Sequence, residues 1–538
     1  MSAAAQRGLY GSDLSLLSPW AASLAERGLL KWLIALTASL GALLEIVDTS
    51  IVNVAMPDIQ GNLGATLSEV GWISTGYACA NVVLIPLTAW LSDRFGRKRY
   101  LIFSLVGFTV SSVLCGLSPS LMFLIVARIL QGLCGGGLLA KAQSLLFETF
   151  PKEEQGVAQA MFGIAIIVGP ALGPVLGGYL TDTMGWRWIF FINIPVGIVG
   201  VLMATTFLPR DRSEDAVNQK VDWLGIGLLA GGLACFQTML EEGQQEDWFA
   251  SQLITFTAIG SVLGLGFFIW RELTTAYPAV DLRVLRYKTL AAGSVYSFVL
   301  GMGIFGVIFA VPIFVQNYLH FTAMQSGLLQ VPGAIAAAVT MVFMGKFSGK
   351  ADARLLVGTG ALITVSSAFL LSDINPDTGT HSLFLPLILR SVGSVMMFLP
   401  LSIASLGGLP KDKIASGSGF YNLTRQIGSS VGIAVITTLL VQREAIHRSA
   451  LVEKITVFHP EAMQRLRAYT GALQAHSGDA VAAKKQALHL LDSLINGQST
   501  LLSFSDIFLY VGIAFIISLP LLFFLGKGGN KELASAAH

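Results

Sequence analysis

Two acids and an arginine stand out because they sit where charge is costly. Glu45 and Asp48 lie in the apolar run Leu44-Glu45-Ile46-Val47-Asp48-Thr49-Ser50-Ile51-Val52-Asn53-Val54-Ala55-Met56-Pro57. A spacing of three puts both carboxyls on one face of a helix. Arg128 interrupts another apolar run, in Arg128-Ile129-Leu130-Gln131-Gly132, followed by Gly135-Gly136-Gly137. An acid removed from water is suited to taking up and releasing a proton, and an arginine beside it holds it charged until substrate or a conformational change breaks the pair. Asp48, Glu45 and Arg128 could thus form a proton switch, the alternative being a static ion pair that fixes helix register. Glu45 has three open readings: a second proton site, a substrate contact or a pore-facing polar group. Gln131, Lys141 and Gln237 are candidate substrate contacts. Lys141 either snorkels to the nearby membrane surface or favours anions in a cavity.

The elements that must position these residues are membrane-crossing helices. The 538-residue chain is 54% hydrophobic and 12% charged, about half the charge expected of a soluble globular protein. Apolar runs close to the roughly 20 residues needed to cross a bilayer recur from end to end. The sequence predicts an all-α polytopic protein with fourteen spans, near 31–54, 69–91, 100–118, 121–145, 157–180, 186–208, 223–241, 250–270, 290–313, 325–345, 354–372, 382–403, 417–441 and 504–526. Twenty-two of the 34 Lys and Arg fall in the tails and alternate loops on one side, whereas the short loops of the other side hold only Arg187. Because cytoplasmic loops retain positive charge, both termini are expected in the cytoplasm. Residues 1–28 have no compact apolar segment ending in a small-residue cleavage site and read as an uncleaved tail.

A repeat divides the chain. Arg128 to Gly163, with Pro151-Lys152-Glu153-Glu154 at its turn, is echoed by Arg390 to Gly419, with Pro410-Lys411-Asp412-Lys413. Gly96-Arg97-Lys98 has a weaker echo in Gly345-Lys346 and Gly349-Lys350. The expected order is a cytoplasmic tail (1–30), a six-helix half (31–208), a linker with two inserted helices (209–289), a second six-helix half (290–526) and a short cytoplasmic tail (527–538). Repeats of this kind form transporters whose halves rock about a central site. Arg390 lacks an acid on the ninth span and reads as a structural hydrogen-bonding group. Arg425 lies near the cytoplasmic end of its span, where snorkelling or a gate contact accounts for it.

Other classes fit poorly. The net charge of +2 is a near-cancellation and points to no nucleic-acid partner. Cys79, Cys115, Cys134 and Cys235 sit inside apolar runs as small hydrophobes, with no disulfide or metal framework implied. The seven histidines lie outside the spans or at their ends, which disfavours a membrane-embedded enzyme. No cofactor is expected.

Three motifs carry a family resemblance. Leu91-Ser92-Asp93-Arg94-Phe95-Gly96-Arg97-Lys98-Arg99 follows the second span; Gly96 permits a tight reversal, while Asp93, Arg94 and Arg97 can bridge helix ends that must later separate. This loop resembles the cytoplasmic signature of the major facilitator superfamily. In the fifth span, Gly169-Pro170-Ala171-Leu172-Gly173-Pro174 and then Gly177 allow close helix approach and bend the helix. That run resembles the antiporter motif of the superfamily's proton-driven drug exporters, and implies a role where the halves meet. The strings around Asp48 and Arg128 resemble those of the fourteen-span drug:proton antiporters of the EmrB and QacA type. The resemblance spans nearly the whole chain.

It implies a major facilitator fold of two six-helix halves plus two inserted helices. It also implies a proton-coupled antiporter in the bacterial inner membrane that exports small amphipathic compounds by alternating access, with a dedicated exporter of one metabolite, such as a siderophore, fatty acid or peptide-like compound, as the alternative. The acidic turn Glu241-Glu242-Gly243-Gln244-Gln245-Glu246-Asp247-Trp248 suits an outer membrane–water boundary. Residues 442–503 form a long outer segment in which Val481, Leu488, Leu491 and Ile495 follow helical spacing and Glu461 to Ala475 could add a second helix, giving a small hairpin that caps the transporter or serves as a docking surface. The EmrB type implies a periplasmic membrane-fusion adaptor and a TolC-like outer-membrane channel; QacA-type relatives carry an outer loop here and act alone.

Overall fold

The computed structural model describes residues 18–211, 221–348, 351–376, 378–456, 458–477 and 479–525. The expected tails lie largely outside these residues, as does the echo at Gly349-Lys350. Among the described residues fourteen helices are long and apolar enough to cross a membrane, so the chain is a multi-pass membrane protein. They are α1 (Leu30–Leu63), α2 (Leu67–Phe95), α3 (Arg97–Gly116), α4 (Leu121–Thr149), α5 (Gln155–Met184), α6 (Trp188–Phe207) and α7 (Trp223–Glu242), then α8 (Gln252–Thr274), α9 (Lys288–Asn317), α10 (Ala323–Phe347), α11 (Ala353–Ser372), α12 (Thr380–Leu406), α13 (Ile414–Glu453) and α14 (Ala480–Ser518). Every expected span has its helix, though many run further. At about 1.5 Å per residue, the 34 residues of α1 exceed the hydrocarbon thickness.

Local chemistry sets the helix ends. α2 starts with a capping box between Thr66 and Glu69, and α10 starts with the same device between Thr322 and Gln325. These are corresponding helices of the two halves, so the repeat extends to its caps. α1 ends at Gly64, whose φ of 61° is the left-handed conformation glycine adopts without strain.

The two halves use matching contacts. α1 packs on α5 as α9 packs on α13; α2 on α4 as α10 on α12; α3 on α6 as α11 on α14. The halves meet through α5 against α10 and α2 against α13. At the α5–α10 seam the backbones nearly touch: a Cβ on Gly345 would lie 3.2 Å from the Gly156 carbonyl oxygen, and one on Gly327 would lie 2.9 Å from the Val175 nitrogen. Small residues are what permit this approach. α7 packs on both α2 and α13, tying the halves together near the face opposite the basic loops. α8 packs on α7 and carries exposed Phe256, Val262, Phe267 and Trp270, a surface suited to lipid.

Two regions differ from the sequence reading. A short helix, Pro19–Glu26, precedes α1, anchored by Ser18 Oγ donating to the Thr206 carbonyl. In the outer segment the expected helical hairpin forms, the helix Pro460–Ser477 packing on the start of α14, but it is not separate from the spans, because α13 and α14 themselves extend into it. Its expected apolar stripe is covered only in part, Leu491 and Ile495 being half-buried. Val481 is 80% exposed and Leu488 is exposed, while Ala483 and Ala487 are buried, because small side chains let the helices approach.

Candidate functional site

The arginine of α4 meets an acid of α1. Arg128 Nη1 donates to Asp48 Oδ2 at 2.5 Å, and both side chains are essentially sealed from solvent. Asp48 Oδ1 accepts from Gln131 Nε2 at 2.9 Å and from Asn193 Nδ2 of α6 at 2.7 Å. Arg128 also donates to Gln131 Oε1 at 2.6 Å and to the Ile73 carbonyl of α2 at 3.4 Å, and lies 4.2 Å from the centre of the Tyr77 ring. Ser112 of α3 completes the cluster by accepting from Gln131 at 2.8 Å. Five helices of one half therefore join in one hydrogen-bonded cluster, of which α4 and α6 bond the carboxylate itself. Charge-assisted bonds of this kind stabilise the ionised acid, and a proton arriving at Asp48 would weaken its hold on Arg128.

Glu45 takes a different partner set. Its Oε1 accepts from Asn81 Nδ2 at 2.8 Å and its Oε2 from the Leu139 backbone N–H at 2.9 Å. Leu139 belongs to the start of the second part of α4, because the helix breaks at Gly136-Gly137 and resumes at Leu138. The break exposes N–H groups and a positive helix end, and Glu45 supplies the acceptor. The glycines here also set helix spacing. A Cβ on Gly136 would stand 2.6 Å from the Asn81 carbonyl oxygen, and one on Gly132 2.6 Å from that of Tyr77.

The remaining sites fall as follows. Gln131 lies inside the Asp48 cluster. Lys141 is 1% exposed, and its Nζ has no hydrogen-bond partner among the described residues, so it does not snorkel; neighbouring helices cover it. Gln237 of α7 donates to Glu241 and to Ser430 of α13, each at 2.8 Å. Glu242 is 2% exposed and accepts from Thr75 of α2 at 2.7 Å. Glu241 and Glu242 are thus packed beside α2 and α13, while Gln245 and Asp247 of the same turn are exposed.

Gly169, Gly173 and Gly177 of α5 face α1: Cβ atoms there would meet Ile46, Ser50 and Ile51. Pro170 turns toward a cavity between the halves, and Pro174 lies beside Gly327 of α10. Gly96 has φ 91°, and a Cβ there would collide with the Asp211 side chain. Asp211 accepts from the Lys98 and Arg99 backbone N–H groups at 3.0 and 3.1 Å, while Arg97 pairs with Glu148 at the end of α4 at 2.7 Å. Asp93 and Arg94 lie in the last helical turn of α2.

The cavity, about 40 Å³, is lined by α5, α9, α10, α12 and α13. Arg390 and Arg425 both line it. Arg390 does not have the hydrogen-bonding role its position indicated, and Arg425 does not snorkel but joins a contact between the halves. Arg390 Nη1 has no hydrogen-bond partner among the described residues, and Arg425 is 4% exposed instead of reaching a membrane surface. Arg425 Nη2 donates to Asn422 Oδ1 at 2.8 Å, and Asn422 Nδ2 donates across the half boundary to Gln143 Oε1 at 2.6 Å. Ser418 Oγ adds a bond to the Ala140 carbonyl at 2.9 Å. These contacts join α13 to α4 toward the basic loops.

Residues 38–433 match the model of the Major Facilitator Superfamily. The chain is 32% identical over 498 residues to the multidrug export protein EmrB of Escherichia coli K12, covering 91% of this chain and 95% of that protein. It is 32% identical over 507 residues to the fatty acid resistance protein FarB of Neisseria gonorrhoeae, covering 93% and 98%. The crystal structure of the human organic anion transporter MFSD10 overlays with a TM-score of 0.57 at 13% identity, across 90% of this chain and 99% of that one, a likeness of fold.

Proposed function

The chain belongs to the Major Facilitator Superfamily, in its EmrB-type multidrug efflux family, and from that premise we propose that it exports small amphipathic compounds in exchange for protons by alternating access. The observation that carries the proton half of this reading is the enclosed Asp48–Arg128 pair. It joins five helices of one half, so its making and breaking bears on how that half packs. The positive-inside distribution supports cytoplasmic termini in a bacterial inner membrane. The bonds from Asn422 and Ser418 to α4 then belong to a state closed toward the cytoplasm.

In the proposed cycle, substrate enters between the halves from the cytoplasm or inner leaflet, and Asp48 releases its proton inward. Ionised Asp48 draws in Arg128, Gln131 and Asn193, and the cytoplasmic contacts close. After substrate leaves on the opposite face, a proton from that side neutralises Asp48, loosens Arg128 and resets the protein. Glu45 holds the broken α4 in register beside the switch. Asp93, Arg94 and Arg97, with Glu148 and Asp211, form the loop that reports the packing of the first half at the cytoplasmic end. A periplasmic membrane-fusion adaptor and TolC-like channel are the proposed partners of the outer segment. A dedicated fatty acid exporter is the second reading, favoured by the similarity to FarB.

Efflux from cells and proteoliposomes across a panel of drugs and metabolites, with Asp48→Asn as control, tests the proposal. The expectation is uphill export by wild type and none by the variant. Equal uphill export by both removes Asp48 from the coupling.

A further inference from the structure

We propose that the cavity between the halves is a seat for the anionic head of an amphipathic substrate, with Arg390 as its principal partner and Arg425 as a second cation. The repeat provides the starting point. Arg128 and Arg390 are corresponding residues, and Arg128 finds its anion in Asp48 of α1. The corresponding helix of the second half, α9, contains no acid, and no Asp or Glu lines the cavity. Arg390 and Arg425 are 7% and 4% exposed, and Nη1 of each has no hydrogen-bond partner among the described residues. A guanidinium stays charged, so burying one without a partner is strongly unfavourable. Arg425 has Glu45 within electrostatic reach, but no acid among the described residues faces Arg390, so its matching anion would come from a ligand.

The two arginines are not equivalent. Arg425 already donates to Asn422 and lies 5.4 Å from the centre of the Phe398 ring, which hold it in place. No such bond anchors the Arg390 guanidinium, whose five N–H donors form a planar fork suited to two-point binding of a carboxylate. Around it the walls are largely apolar, including Ile166, Ile304 and Phe305, the side chains a hydrocarbon tail would lie against. At about 40 Å³ the cavity has room for a head group and is smaller than a site for a whole drug-sized ligand. The ligand class is an amphipathic monoanion with one carboxylate-like head. Two cations and no acid in a desolvated pocket disfavour a cationic head on the same tail.

The assignment rests on the efflux reading for the direction of movement, but binding is measurable without transport. The test compares decanoate with decyltrimethylammonium, matched in tail and opposite in charge, by calorimetric titration of the full-length protein in lipid nanodiscs, with empty nanodiscs subtracted. Decanoate is expected to bind at least tenfold tighter than the cation. Arg390→Gln should weaken decanoate at least tenfold and leave the cation within about twofold, while Arg390→Lys should keep most of the decanoate affinity. Melting temperatures of the variants guard against misfolding, and Arg425→Gln gives an independent variant expected to weaken decanoate less than Arg390→Gln. Equal binding of the two probes, absence of decanoate binding, or decanoate affinity unchanged in folded Arg390→Gln overturns the assignment. Arg390-dependent decanoate binding without uphill export of any compound upholds the assignment and overturns the efflux reading.

Discussion

Neutralising Asp48 should destabilise the first half, and removing Arg128 as well should restore much of that stability without restoring export. In Asp48→Asn the single side-chain oxygen can retain the contacts of Oδ1, from Gln131 and Asn193. The new amide then faces Arg128 Nη1, donor against donor, where an acceptor stood at 2.5 Å. At an effective dielectric of about 20, the gross attraction lost at that separation is ~7 kcal/mol. Arg128 keeps Gln131 Oε1, the Ile73 carbonyl and the Tyr77 ring, which offset part of the loss. A net cost of about 3 kcal/mol is expected, at the low end for breaking a buried pair. If the half melts as one unit, that is a fall of about 5–10 °C. The assay is thermal unfolding of purified protein in detergent, for wild type, Asp48→Asn, Arg128→Met and the double variant. The double variant leaves neither charge exposed to an apolar interior, so it should recover at least half of the loss. Additive losses in the double variant, or a melting temperature unchanged in Asp48→Asn, would refute the pairing argument.

Other positions give separate tests. Lys141→Met should leave stability equal to or higher than wild type by up to about 2 kcal/mol in a chemical or thermal melt, because it removes a buried ammonium whose Nζ has no hydrogen-bond partner among the described residues; a fall of similar size would mean that Lys141 holds a stabilising contact. Gly136→Val should destabilise by about 1–3 kcal/mol, since its Cβ would crowd the Asn81 backbone and force α2 from α4. In a background lacking the four native cysteines, a disulfide between Ser418→Cys and Gln143→Cys should trap the cytoplasm-closed state and abolish export until reduced. Asp211→Asn should lower the melting temperature, measured by the same thermal assay, because the charge on its bonds to Lys98 and Arg99 is lost, at about 1–2 kcal/mol.

The helices were legible because crossing a bilayer demands long apolar runs, and the loops reveal themselves by charge. Asp48 and Arg128 were legible because each is a charge inside such a run. Their neutral partners were not: Asn193, Asn81 and Ser112 are polar residues whose sequence positions carry no mark of what they face. The glycines at 135–137 read as room beside a helix, whereas the structure also uses them to break α4 and hand its new end to Glu45. Lys141 and Arg425 show the limit of reading depth along a helix. Distance from the membrane edge predicts snorkelling, but neighbouring helices decide whether a path to water exists. In the outer segment the spacing of large apolar side chains marks a helix, yet Ala483 and Ala487 are its buried residues, because small side chains admit a second helix.

Proton movement on addition of substrate tests the central claim most directly. Proteoliposomes containing wild type or Asp48→Asn, loaded with a pH-sensitive dye, are given an exported compound under an imposed pH gradient. Coupled exchange predicts substrate-dependent proton flux in wild type and none above empty liposomes in Asp48→Asn. Substrate movement in wild type without proton flux, or the same flux in the variant, contradicts the account.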